Sequence, residues 1–193
     1  MGRTKNFDEG LVLKKAMHAF RRHGYGAITV PQLVEVTGLS AGSIYHSYGD
    51  KNGLFLAAFE LYLEQVLQGR IARYADEKRG LAGVRLLFLS LLEEPNNEHF
   101  GCLITNSAVE FADDQSVCKD SVQRGFDLLL QALTQRLTQL QSVGQLRPGV
   151  LPIPCALKLV ALYQGILVMV RSGYDKLPLR SAIEQEFDSI WLK

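Results

Sequence analysis

Thr29-Val30-Pro31-Gln32-Leu33-Val34-Glu35-Val36-Thr37-Gly38-Leu39-Ser40-Ala41-Gly42-Ser43-Ile44-Tyr45-His46-Ser47-Tyr48-Gly49-Asp50-Lys51 is the stretch from which the fold is read. Thr29 has the oxygen of a good N-cap, and Pro31 falls in the first turn, where its missing N–H costs nothing. Val30, Leu33, Val34 and Val36 supply the apolar positions of a short helix that Thr37-Gly38 ends. Ser40 is the next N-cap, opening a second short helix over 41–46. Gly49-Asp50 breaks the chain again, and Asp50 caps a longer helix running to about Tyr74. Val34, Leu39 and Ile44 can lock the two short helices together across a tight turn. The spacing predicts a helix-turn-helix.

In that geometry the second helix is the one that enters a major groove. Its outward residues are Ser40, Ala41, Gly42, Ser43, Tyr45 and His46. The small ones cluster at the N-terminal end and permit close approach to DNA, with hydrogen-bonding side chains beside them. Lys51, at the N-terminus of the following helix, is placed to hold a phosphate, and Thr29 to hold another on the opposite side. Upstream, Leu13, Ala16 or Met17, and Phe20 recur at helical spacing over 7–23, and Gly24-Tyr25-Gly26 closes that helix. Residues 1–55 carry seven basic groups (Arg3, Lys5, Lys14, Lys15, Arg21, Arg22, Lys51) against four acidic ones (Asp8, Glu9, Glu35, Asp50), a net +3 within a chain whose total is +1. A basic head on a mildly acidic body points to a polyanion at one end.

Phe20, Gly24-Tyr25, Thr29, Gly38-Leu39-Ser40, Gly42-Ser43-Ile44-Tyr45 and Lys51-Asn52-Gly53-Leu54 together resemble the head of the TetR family of bacterial transcriptional repressors, over about residues 7–58. Tyr48 stands where the family usually has Phe, and its phenol adds a candidate phosphate contact. Val30-Pro31 replaces a more common polar start of the second helix. The resemblance implies an operator-binding homodimer formed through the last two helices, a ligand pocket in each body, and release from double-stranded DNA when a small-molecule effector binds. Gly101-Cys102 also resembles a cysteine-containing subgroup that senses electrophiles or oxidants and includes the repressor of N-ethylmaleimide reductase.

The remainder is also predicted helical, giving an all-α fold with a head domain at 1–55 and a ligand-binding and dimerisation body at 56–193. Helices are expected over 80–92, 101–112, 116–142, 153–173 and 179–191, broken by the polar 93–97 loop and by 144–149. The 153–173 segment is apolar almost all round and needs cover on every face, which a second subunit would supply. With 47% hydrophobic and 21% charged residues among 193, the composition excludes intrinsic disorder and is large enough for a core without staples. The longest uncharged apolar run, 159–170, is shorter than a bilayer crossing needs, so no membrane partner is expected. The opening residues lack the apolar core of a signal peptide. Cys102, Cys118 and Cys155 form neither a CxxC pair nor a zinc spacing, and a reducing cytoplasm suits them. No metal and no cofactor are expected.

Phe88, Leu92, Cys102, Asn106, Phe126 and Tyr163 are candidate pocket residues, being apolar groups with single polar ones on different body helices. The scattered charges suggest a small, mostly uncharged ligand. His99 lies three residues before Cys102, and a helix N-terminus with a nearby imidazolium would activate the thiol. Two other classes compete with the DNA-binding reading. One is an enzyme using Cys102 and His99. It lacks an orienting third group, and Asp113-Asp114 would point in different directions on a helix. The other is a protein-interaction module, for which Ala41, Gly42 and Ser43 lack the aromatic or Arg anchors of an interface.

Overall fold

The computed structural model describes residues 7–93, 99–111 and 117–192. They form two compact units: Met1–Val66 with Leu103–Gln123, and Leu67–Cys102 with Arg124–Lys193. Regular structure among the described residues is helical, apart from an isolated antiparallel bridge between Leu146 and Trp191. The all-α expectation is met.

In the first unit, α1 (Glu9–His23) starts where the Asp8 carboxylate accepts the Leu11 N–H at 3.1 Å. It buries Val12, Ala16, Ala19 and Phe20, a stripe at three- and four-residue spacing. The helices α2 (Val30–Thr37), α3 (Ala41–Tyr48) and α4 (Lys51–Leu61) follow. Phe20 meets Phe55 edge-on at 4.9 Å, and Phe55 meets Phe59 at 5.8 Å, so α1 and α4 share an aromatic core. Such pairs add to the burial of their area. Gly53 is needed at the start of α4, because a Cβ there would run into the Tyr48 carbonyl oxygen. The later helix α7 (Leu103–Glu110) belongs to this unit as well.

The second unit contains α5 (Gly69–Tyr74), α6 (Gly80–Leu89), most of α8 (Lys119–Ser142), α9 (Pro152–Arg171) and α10 (Lys176–Ile190). Leu87, Phe88, Leu133, Leu159, Ile183 and Phe187 are buried at its centre. Phe88 stacks edge-on against Tyr163 at 5.5 Å and Phe187 at 5.2 Å, tying α6, α9 and α10 together. The C-terminus is strapped to the loop after α8: Arg147 N–H donates to the Ile190 carbonyl, Leu192 N–H to the Gln145 carbonyl, and Arg147 Nε to the Trp191 carbonyl.

Three features lie beyond the sequence reading. The helix expected to run unbroken from 51 to 74 widens into a π-helix at Tyr62–Gln68. No single residue there explains it. The 55/56 division falls inside α4. The helix α9, at 20 residues, is long and apolar enough to cross a membrane, which corrects the expectation that no segment reached that length. Lys158, one charge inside an otherwise apolar helix, interrupts its uncharged run. Half of its apolar window is buried inside the protein, as in the core helix of a globular body. Arg3, Lys5, residues 94–97, Asp113 and Asp114 fall outside the described residues.

Candidate nucleic-acid interface

Local hydrogen bonding builds the helix-turn-helix. Thr29 Oγ1 accepts the Gln32 N–H at 3.4 Å while Gln32 Oε1 accepts the Thr29 N–H at 2.8 Å, a reciprocal capping box that starts α2. Thr37 Oγ1 donates to the Leu33 carbonyl at 2.6 Å and accepts the Leu39 N–H at 3.2 Å, so one hydroxyl fastens the turn to α2. Gly38 has φ 77°, the left-handed conformation that lets α2 end and the chain reverse. Ser40 Oγ then accepts the Ser43 N–H at 3.1 Å and starts α3.

Leu33, Leu39 and Ile44 are buried behind the motif. Ser40, Ala41, Gly42, Tyr45 and His46 are exposed, with Ser43 half-buried among them. Tyr45 is 51% exposed, so its ring stands clear of the core. Ala41, Gly42, Tyr45 and His46 thus share the exposed side of α3, with Ser40 at its cap and Ser43 at the edge of that side. Tyr48 is half-buried, and desolvation, followed by the Glu9 charge, raises its phenol pKa. Thr29 is exposed at the head of α2.

Lys51 is half-buried in the first turn of α4, with Nζ 4.3 Å from the centroid of the Tyr25 ring. Burial lowers its ammonium pKa, while the Glu110 carboxylate acts the other way. The Tyr25 hydroxyl donates to Asn52 Oδ1. Its own pKa is raised, first by desolvation and then by the charges of Asp50, Cys118 and Glu110. Glu110 carries no signal in the sequence reading, and Tyr25 and Asn52 enter it only through the helix stop Gly24-Tyr25-Gly26 and the family resemblance at Gly24-Tyr25 and Lys51-Asn52, without a role in the site.

Residues 12–58 match the family model described as "Bacterial regulatory proteins, tetR family", and residues 80–185 match "Tetracyclin repressor-like, C-terminal domain". The chain belongs to the TetR family. This TetR-family chain is 26% identical to the HTH-type transcriptional repressor ComR of Escherichia coli K12, over 89% of its own length and 83% of ComR. It shares its fold with CifR, solved as a cysteine mutant with 26-bp double-strand operator DNA: TM-score 0.85 at 22% identity, covering 99% of this chain and 100% of that one. It also shares the fold of reduced NemR from E. coli, with TM-score 0.80 at 18% identity, covering 93% and 95% of the two chains.

The pocket candidates of this TetR-family body divide between the units. Phe88, Leu92, Cys102 and Tyr163 are buried and Phe126 half-buried in the second unit. Asn106 lies in the first unit, where its Nδ2 donates to the Arg21 carbonyl at 3.4 Å. Cys102 directly precedes α7, and its thiol is buried. His99 is half-buried. Burial raises the Cys155 thiol pKa against the opposing Lys158 charge. Among the described residues, no group of three or more His, Cys, Asp or Glu is arranged to hold a metal ion.

Proposed function

We propose that this TetR-family protein is a ligand-responsive, homodimeric, cytoplasmic transcriptional repressor that binds a near-palindromic operator. The observation that carries the reading is the face of α3: Ala41, Gly42, Tyr45 and His46 exposed together, with Leu39 and Ile44 buried behind them. Small residues at the helix N-terminus let backbone and side chains reach base edges. Thr29 and Lys51 take phosphates on either side, with Tyr48 as a further backbone contact. The double-stranded operator in the CifR complex supports the same reading here.

Dimerisation through α9 and α10 is supported by an unpartnered stripe on α9. Ile153 is 66% exposed, Leu157 59% and Val168 51%, at helical spacing with the exposed Ala161 and Gly165 between them. Two such heads would read half-sites about 34–36 Å apart. The effector is a small, mostly uncharged molecule held by Phe88, Leu92, Cys102, Phe126 and Tyr163, or an electrophile or oxidant that reaches Cys102. Its arrival releases the DNA.

Selection of bound sequences from a random duplex pool, followed by titration at two salt concentrations, tests this directly. Enrichment of one near-palindrome, with affinity falling steeply as salt rises, is the expected result. Recovery of no sequence, or of only weak sequence-blind binding, overturns it. Release of that duplex by small apolar compounds but not by thiol reagents would assign the signal to the pocket; the reverse, abolished in Cys102→Ser, would assign it to the thiol.

A further inference from the structure

We propose that Glu110 is a positioning residue for DNA binding: its carboxylate grips the loop after α1 and, through Tyr25, sets the placement of Lys51 beside α3. The proposal rests on the reading of α3 and Lys51 as DNA contacts.

Glu110 is the last residue of α7, 85 positions along the chain from Tyr25. Its Oε2 accepts the Tyr25 N–H at 2.9 Å and its Oε1 accepts the Gly26 N–H at 2.6 Å. Both oxygens are thus committed to two successive backbone amides, and hydrogen bonds to an ionised acceptor are roughly twice as strong as neutral ones. The carboxylate lies close against bare backbone. A Cβ on Gly24 would lie 3.1 Å from Oε2 and one on Gly26 3.0 Å from Oε1, and Gly24 also has φ 84°. The glycines that read as a helix stop are therefore also the space a carboxylate occupies.

Tyr25 lies between those glycines and carries the constraint onward. Its ring packs 5.0 Å from both Phe55 and Phe111. Its hydroxyl is bonded to Asn52, and the Lys51 ammonium sits over its face. On the other side, Gly26 is three residues before Thr29, the cap of α2. One carboxylate accordingly governs the approach to both residues that flank α3.

Removing Glu110 has two opposing effects. An anion near a phosphate-binding face repels DNA, but Glu110 is exposed and its field is screened within about 10 Å at 0.1 M salt. Freeing the loop, by contrast, costs the placement of Lys51 and Thr29. The second effect dominates, so removal weakens binding.

The test uses the full chain and the duplex recovered by selection, titrated over a salt series with wild type, Glu110→Ala, Glu110→Gln, Lys51→Ala and the Glu110→Ala/Lys51→Ala double variant. Glu110→Ala is expected to weaken binding roughly tenfold. It should also flatten the plot of log affinity against log salt by about 0.9 for each phosphate that is no longer neutralised. Glu110→Gln keeps one acceptor oxygen but turns its amide N–H toward the second backbone N–H, so it is expected to recover only part of the affinity. In the Lys51→Ala background, Glu110→Ala should cost only about threefold or less, because the two act through one contact. Affinity unchanged or tighter in both Glu110 variants overturns the proposal. So does weaker binding with an unchanged salt slope and full additivity with Lys51→Ala, the mark of a merely structural residue. A wild-type protein that binds no duplex overturns the DNA-binding reading itself, and this proposal with it.

Discussion

Gly53 and Gly42 show how one missing methyl group serves opposite ends in the same motif. At Gly53 an added Cβ meets the backbone carbonyl of Tyr48, which no rotamer change can relieve. Replacing Gly by Ala inside a helix gains up to about 1 kcal/mol of propensity, while forcing atoms into a packed site costs about 1–3 kcal/mol. The clash wins, and Gly53→Ala is expected to lower the melting temperature by several degrees in a thermal scan. At Gly42 an added Cβ meets only Ser40 Oγ, at 3.9 Å, an ordinary contact. Gly42→Ala should therefore leave the melt unchanged or raise it, yet place a methyl group on the face proposed to meet DNA. A Gly53→Ala protein as stable as wild type would mean that the α3–α4 turn is looser than its geometry indicates.

At the scale of elements, α2 and α3 are each eight residues long. Helices below about 12–15 residues are marginal alone in water, so these two persist through their caps and through the burial of Leu33, Leu39 and Ile44. Ser40→Ala removes the acceptor for the Ser43 N–H and is expected to destabilise the head by about 1 kcal/mol, read by urea unfolding followed through far-UV circular dichroism. Thr29→Ala should cost a similar amount by opening the capping box of α2. If both variants unfold at the wild-type midpoint, packing alone holds these helices.

For the whole molecule, the question is what covers α9. Its inward side is buried with Leu159, Tyr163 and Ile166, while Ile153, Leu157 and Val168 face outward. On the proposed homodimer reading, this exposed apolar stripe meets a second copy of the same helix, the self-complementary solution. Leu157→Asp, at a side chain outside the monomer core, is expected to shift the protein from dimer to monomer in sedimentation velocity without unfolding it. Operator affinity should fall with it, because two half-sites would no longer be held together. A Leu157→Asp protein that sediments as wild type would place the dimer contact elsewhere.

Caps, breaks and apolar spacing are local, and the sequence alone determined what depends on them. Thr29, Gly38, Ser40 and Asp50 act within three or four residues of themselves, so the helix-turn-helix and its outward face are legible in the order of residues along the chain. The all-α class follows from the 3.6-residue spacing for the same reason. The tertiary structure decided what depends on distant chain meeting. Glu110 reaches the Tyr25 amide across 85 residues, and nothing in the local pattern around either marks the pair. Asn106 has the composition of a pocket residue but hydrogen-bonds a backbone carbonyl of α1. The placement of α7 with the head and the division of α9 into a buried and an open side both arise from packing between elements. Packing energy is summed over contacts that a linear pattern does not contain.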